Sequence, residues 1–80
     1  MIRHNEITDG ELRTKIRNGE ILWGGNAKLK IYGTLDCRSG KRMTRKNRVF
    51  FASEEEAKNN GYRPCGHCKR DAYKKWRYGP

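Results

Sequence analysis

Apolar positions in this chain fall in short, separated clusters, and the spacing inside each cluster predicts an element. Leu12 and Ile16 stand four residues apart, the separation that puts two side chains on one helix face. A helix is therefore expected over 8–18 with that pair buried. Thr8 is placed to cap it, Glu11 to close a capping box and Ile7 to pack onto Leu12, while Asn18 and Gly19 supply a left-handed stop. Residues 20–23 read as a strand, Gly24, Gly25 and Asn26 as a turn, and 29–32 as a second strand with Leu29 and Ile31 on one face. The pair predicts a hairpin.

Residues 33–47 carry glycine, serine, threonine and many charges without apolar periodicity. They predict a long loop anchored by Cys37 and Met43. Val49, Phe50 and Phe51 then mark a strand over 48–52. Ser53 followed by three glutamates is a second helix-capping signature, the acids lying where the helix dipole favours negative charge, and Gly61 ends that short helix. A third helix is expected over 65–77, with Cys65, Cys68, Ala72 and Trp76 along one stripe. Trp23, Tyr32, Phe50, Phe51 and Trp76 are assigned to the core, because large aromatics dominate small cores through their area; Tyr78 is left free. The chain shows no repeat or linker, so it reads as one α+β domain over 1–80.

Length sharpens this picture. Eighty residues with a hydrophobic fraction of 34% bury a modest core, and domains of this size often need a covalent or metal staple. Three cysteines cannot all pair within one chain, which favours metal or reduced thiols over disulfides. No charged start leads into an apolar run of signal-peptide type, and nothing approaches the roughly 20 apolar residues of a membrane span. A cytoplasmic protein with no membrane partner is expected. The formal charge of +10 attracts polyanions through bulk electrostatics, making nucleic acid the default partner; the alternative is that these charges serve solubility alone.

The strongest chemical signal is Pro64-Cys65-Gly66-His67-Cys68. Two thiolates at C-x-x-C spacing reach one ion when the chain turns between them, as in many structural zinc sites. The same spacing serves redox chemistry in a thioredoxin-like βαβ setting, a pattern not found here.

Asn47-Arg48-Val49-Phe50-Phe51-Ala52-Ser53, then Glu56-Ala57, then Gly61-Tyr62-Arg63-Pro64-Cys65 and Cys68 resemble the metal-binding domain of the Ada methylphosphotriester DNA repair protein and its stand-alone relatives. The resemblance covers about 29–70 and leaves the N-terminal helix as an extension. It implies a small antiparallel sheet flanked by helices, with a zinc knuckle between a long loop and the C-terminal helix. It also implies four zinc ligands, two from the loop and two from the knuckle. Cys65 and Cys68 match the knuckle. The family's loop supplies two ligands four residues apart, and this chain has only Cys37 there. Counting back from Asn47 makes Cys37 the second loop ligand and puts Gly33 in place of the first; in the other register Cys37 is the first and Lys41 stands in the vacated place. Cys37, Cys65 and Cys68 are thus the metal candidates, with Asp36, His67, His4 or water for the fourth position. Asp36 adjoins Cys37 and in extended chain points the other way; the His67 ring would have to fold back past two sulfurs. In the family the first loop cysteine accepts a methyl group from a damaged phosphate, which only the second register permits, with Cys37 as acceptor. The bland alternative is that the cysteines are buried small hydrophobes in a domain without its metal.

Charge distribution adds a binding surface. Arg38, Lys41, Arg42, Arg45, Lys46 and Arg48 follow Cys37 with no acid among them, and the last helix adds Lys69, Arg70, Lys74, Lys75 and Arg77 against Asp71 alone. If the two segments meet at the metal they form one basic face for phosphates. The expected function is a non-catalytic zinc-binding module that contacts nucleic acid, DNA before RNA. The alternatives are a structural or protein-interaction module, with or without metal, and a stoichiometric methyl acceptor.

Overall fold

A computed structural model of the chain describes residues 1–37 and 44–79. Met43, expected to anchor the loop, lies outside them. Five strands form one sheet: β1 (Ile2–Arg3), β2 (Trp23–Asn26), β3 (Ile31–Thr34), β4 (Arg48–Phe51) and β5 (Arg63–Pro64), in spatial order β1-β4-β2-β3-β5. Among the described residues three α-helices accompany it, α1 (Asp9–Arg17), α2 (Glu54–Asn59) and α3 (Arg70–Tyr78). The architecture is α+β. The sheet is mixed, because β5 joins β3 in parallel while every other pairing is antiparallel.

Both capping signatures are present. The Thr8 hydroxyl accepts from the Glu11 N–H at 3.1 Å and Glu11 accepts from the Thr8 N–H at 3.2 Å, so two otherwise orphaned donors are satisfied reciprocally. Ser53 accepts from the Glu56 N–H at 3.1 Å. Helix α1 stops at Asn18 with Gly19 at a φ of 76°, a conformation glycine reaches without steric cost. The expected burial of Leu12 with Ile16 is not realised: α1 has no buried residue and Ile16 is 39% exposed. Its apolar face is narrow, and α1 is held by its cap and by Arg45, which donates to Asp9 and to the Ile7 carbonyl.

The hairpin is displaced from its expected position. Gly24, Gly25 and Asn26 form the central strand rather than a turn, flanked by β3 and β4. A Cβ on Gly25 would stand 2.9 Å from the Ile31 carbonyl and 3.0 Å from the Phe51 ring, so the close approach of these strands demands glycine there. The turn falls on 27–30 instead. The Asn26 side chain accepts from the Lys28 and Leu29 N–H groups at 2.9 and 3.1 Å, an Asx arrangement that mimics a backbone turn.

One sheet face carries the core. Tyr32, Val49 and Phe51 pack there with Ala57 and Tyr62, all at most 4% exposed, and the Phe51 and Tyr62 rings meet edge to face at 4.9 Å. On the other face Phe50 is covered by His4, ring centroids 5.3 Å apart. The third helix starts at Arg70, not at 65. Residues 65–68 instead turn tightly, the Lys69 N–H closing onto the Cys65 carbonyl at 3.0 Å. Trp76 is correspondingly 55% exposed rather than core.

Candidate metal centre

Strand β5 delivers the knuckle to the sheet. The Cys65 N–H donates to the Tyr32 carbonyl at 2.8 Å, so Cys65 continues the ladder with β3 before the chain turns. Cys37 reaches the same place from the end of β3, its N–H donating to the Thr34 carbonyl at 3.3 Å. The sulfurs of Cys37, Cys65 and Cys68 all lie within 4.8 Å of one another.

The donor set fits zinc. Zinc–sulfur bonds of about 2.3 Å in tetrahedral array imply sulfurs about 3.8 Å apart, and Cys37 Sγ stands 3.9 Å from Cys65 Sγ. Backbone donors already face the sulfurs: the Thr34 N–H points to Cys68 Sγ at 3.3 Å and the His67 N–H to Cys65 Sγ at 3.4 Å. At Cys68 the Thr34 donor favours thiolate over thiol. Burial, the larger effect, pushes the Cys68 thiol above its ordinary value.

The cluster holds three sulfurs and, among the described residues, no imidazole or carboxylate. Asp36 and His67 are both exposed; His67 enters the turn through its backbone, with its side chain at the rim of the adjoining cleft. His4 is buried against Phe50. Gly33 is the residue that faces the sulfurs most directly. A Cβ built on it would lie 2.5 Å from Cys68 Sγ and 3.1 Å from Cys65 Cβ. A side chain at position 33 would therefore point into the cluster. Lys41, vacant in the second register, lies outside the described residues.

The profile of the family described as the metal binding domain of Ada matches residues 14–71. The chain belongs to that family. No curated protein and no solved structure matches it. The Ada-type match begins within α1, earlier than the resemblance seen from motifs alone, and ends just inside α3. With the three-cysteine cluster it makes the chain a zinc-binding module.

The expected basic face is distributed unevenly. Arg38, Lys41 and Arg42 lie outside the described residues. Arg45 is turned to α1, 2.9 Å from Asp9, and Lys69 pairs with Glu54 at 2.7 Å above the Trp23 ring. Lys46, Arg70, Lys74 and Lys75 are exposed. Motif reading passed over Arg63, whose guanidinium stacks on Tyr73 and Trp76 at 5.3 and 5.4 Å. Its place in Gly61-Tyr62-Arg63-Pro64 was the available signal.

Proposed function

We propose that this Ada-type domain is a non-catalytic, zinc-stabilised module that acts in the cytoplasm by binding nucleic acid, DNA before RNA. The observation that carries the reading is the helix leaving the knuckle: α3 exposes Arg70, Lys74, Lys75 and Arg77 beside the half-exposed Trp76. Cations on one short helix neutralise phosphates and release counterions, and an exposed indole beside them can stack on a base. The metal's part is structural. It closes the loop that ends β3 onto the turn that follows β5, so its binding energy is also folding energy.

A non-catalytic role is supported by Gly33. The position that faces the cluster carries no nucleophile, and methyl transfer would fall to Cys37 alone. A gain of one methyl on Cys37 after exposure to methylphosphotriester DNA would overturn that part of the reading.

A second reading has its own observation. Leu29 is 60% exposed and Trp76 55%, apolar surface that a protein partner could cover. Titration of the zinc-loaded domain with duplex and single-stranded DNA at several salt concentrations separates the two. Affinity that falls linearly on a log–log salt plot supports nucleic acid; absence of binding at low salt removes it and leaves the protein-interaction reading.

A further inference from the structure

Helix α3 carries two stripes. Arg70, Lys74 and Arg77 recur at i, i+4 and i+7, the spacing that aligns side chains along one helix face, and all three are exposed. Tyr73 and Trp76 form the neighbouring stripe, their ring centroids 6.0 Å apart at an interplanar angle of 31°. Arg77 ties the two together by donating to the Tyr73 hydroxyl at 3.0 Å. The one acid of the helix, Asp71, precedes Lys75 by four residues and stands outside both stripes.

The aromatic pair is held from the body of the domain. Tyr73 lies against the knuckle turn, where a Cβ built on Gly66 would be 3.8 Å from its ring. Arg63 reaches from β5 with its guanidinium over both rings, 5.3 Å from Tyr73 and 5.4 Å from Trp76, and donates to the Pro64 carbonyl at 3.1 Å. Guanidinium stacks on aromatic faces as a planar group. It takes one face of the indole, and because Trp76 is still 55% exposed, the other face is open to solvent. A lone exposed aromatic needs no explanation. This one is fixed by a stacked cation and flanked by a row of three more.

We infer that α3 binds single-stranded nucleic acid, with the strand's phosphates along Arg70, Lys74 and Arg77 and one unpaired base stacked on the open face of Trp76. The inference rests on the nucleic-acid reading above and narrows it, because bases inside a duplex are already stacked on one another. Charge selects the occupant: a cationic stripe beside an aromatic surface is the arrangement that takes a polyanion with exposed rings. Arg63 is a positioning residue. It does not meet the base; it holds the indole that does, so less side-chain freedom is lost on binding.

The test compares three probes on the zinc-loaded domain at fixed salt: an oligothymidylate, an abasic oligomer with the same number of phosphates, and the corresponding duplex. The wild type should bind the oligothymidylate about tenfold more tightly than the abasic oligomer, a one-base stacking contribution. Trp76→Ala should bind those two alike and leave duplex affinity unchanged, with melting temperature and zinc content confirming the fold. Arg63→Lys keeps the charge and removes the planar group, so the preference for bases should fall while the slope of affinity against salt stays at the wild-type value. That variant carries the comparison if Trp76→Ala loses zinc. A wild type that binds both oligomers equally overturns the stacking site and leaves nucleic-acid binding standing. So does a Trp76→Ala variant that keeps the preference, or that loses duplex and single-strand affinity in equal measure. An unchanged preference in Arg63→Lys overturns the positioning role. Binding of none of the probes overturns the inference together with the reading it rests on.

Discussion

Gly33 lies directly against Cys68: a Cβ on the glycine would stand 2.5 Å from the cysteine sulfur. Gly33→Ala must therefore move Cys68 Sγ or the β3 backbone. The expected result is a loss of about 1–3 kcal/mol of stability, the usual cost of overpacking, and faster surrender of zinc to a chelator. Gly33→Cys brings the same Cβ and so imposes the same shift, but it also adds a fourth sulfur beside the other three, so it should hold zinc against a chelator better than Gly33→Ala does. Chelator competition with thermal melting compares the two; an alanine variant as resistant as wild type would show that position 33 does not press on the site.

Replacing Cys65 or Cys68 with serine should unfold or markedly loosen the domain. Structural zinc contributes on the order of 10 kcal/mol to small domains, and two remaining thiolates would keep only part of that. Native mass spectrometry before and after EDTA, with melting curves on both samples, is the check. One zinc per chain in the wild type and none in either variant is expected. Unchanged melting in both variants would remove the structural role of the metal.

Stability should depend on pH in opposite senses with and without zinc. Burial raises the Cys68 thiol above its ordinary 9.0, so the metal-free folded state holds that proton more tightly than the unfolded chain does. Its contribution is complete below pH 9.0 and is lost as pH rises through the higher folded value. Zinc requires the thiolates, so the loaded domain should lose metal and stability as pH falls. Melting temperature against pH for both forms measures the crossing trends.

Two groups of basic residues should separate by assay. Arg45 is paired with Asp9 at 2.9 Å and braces α1. Arg45→Ala should cost about 0–1 kcal/mol, the range for exposed pairs, with little effect on DNA affinity. Lys74→Glu with Lys75→Glu should leave melting nearly unchanged, lower DNA affinity, and flatten the salt dependence by about two counterions. The reverse pattern would move the phosphate contacts from α3 to the loop side of the domain.

Much of the domain was legible because its signals are local. Thr8 with Glu11, Ser53 with Glu56, and the Cys65–Cys68 spacing each act within four residues, where chain geometry alone decides what can meet. The β-branched and aromatic run Val49-Phe50-Phe51 likewise announced a strand, and the three cysteines as one cluster followed from the knuckle and the family's loop.

Tertiary structure decided the rest. Gly24 and Gly25 read as a turn from their composition, yet they form the central strand because Ile31 and Phe51 approach too closely for any side chain at Gly25. Trp76 read as core from its place in a stripe, yet it is half exposed, because residues 65–68 turn around the sulfurs and the helix begins only at Arg70. The placing of Gly33 opposite Gly24, and of Arg48 and Arg63 at either end of the neighbouring row, follows from strand register. Register joins residues distant in sequence through long-range pairing, which local propensity does not encode.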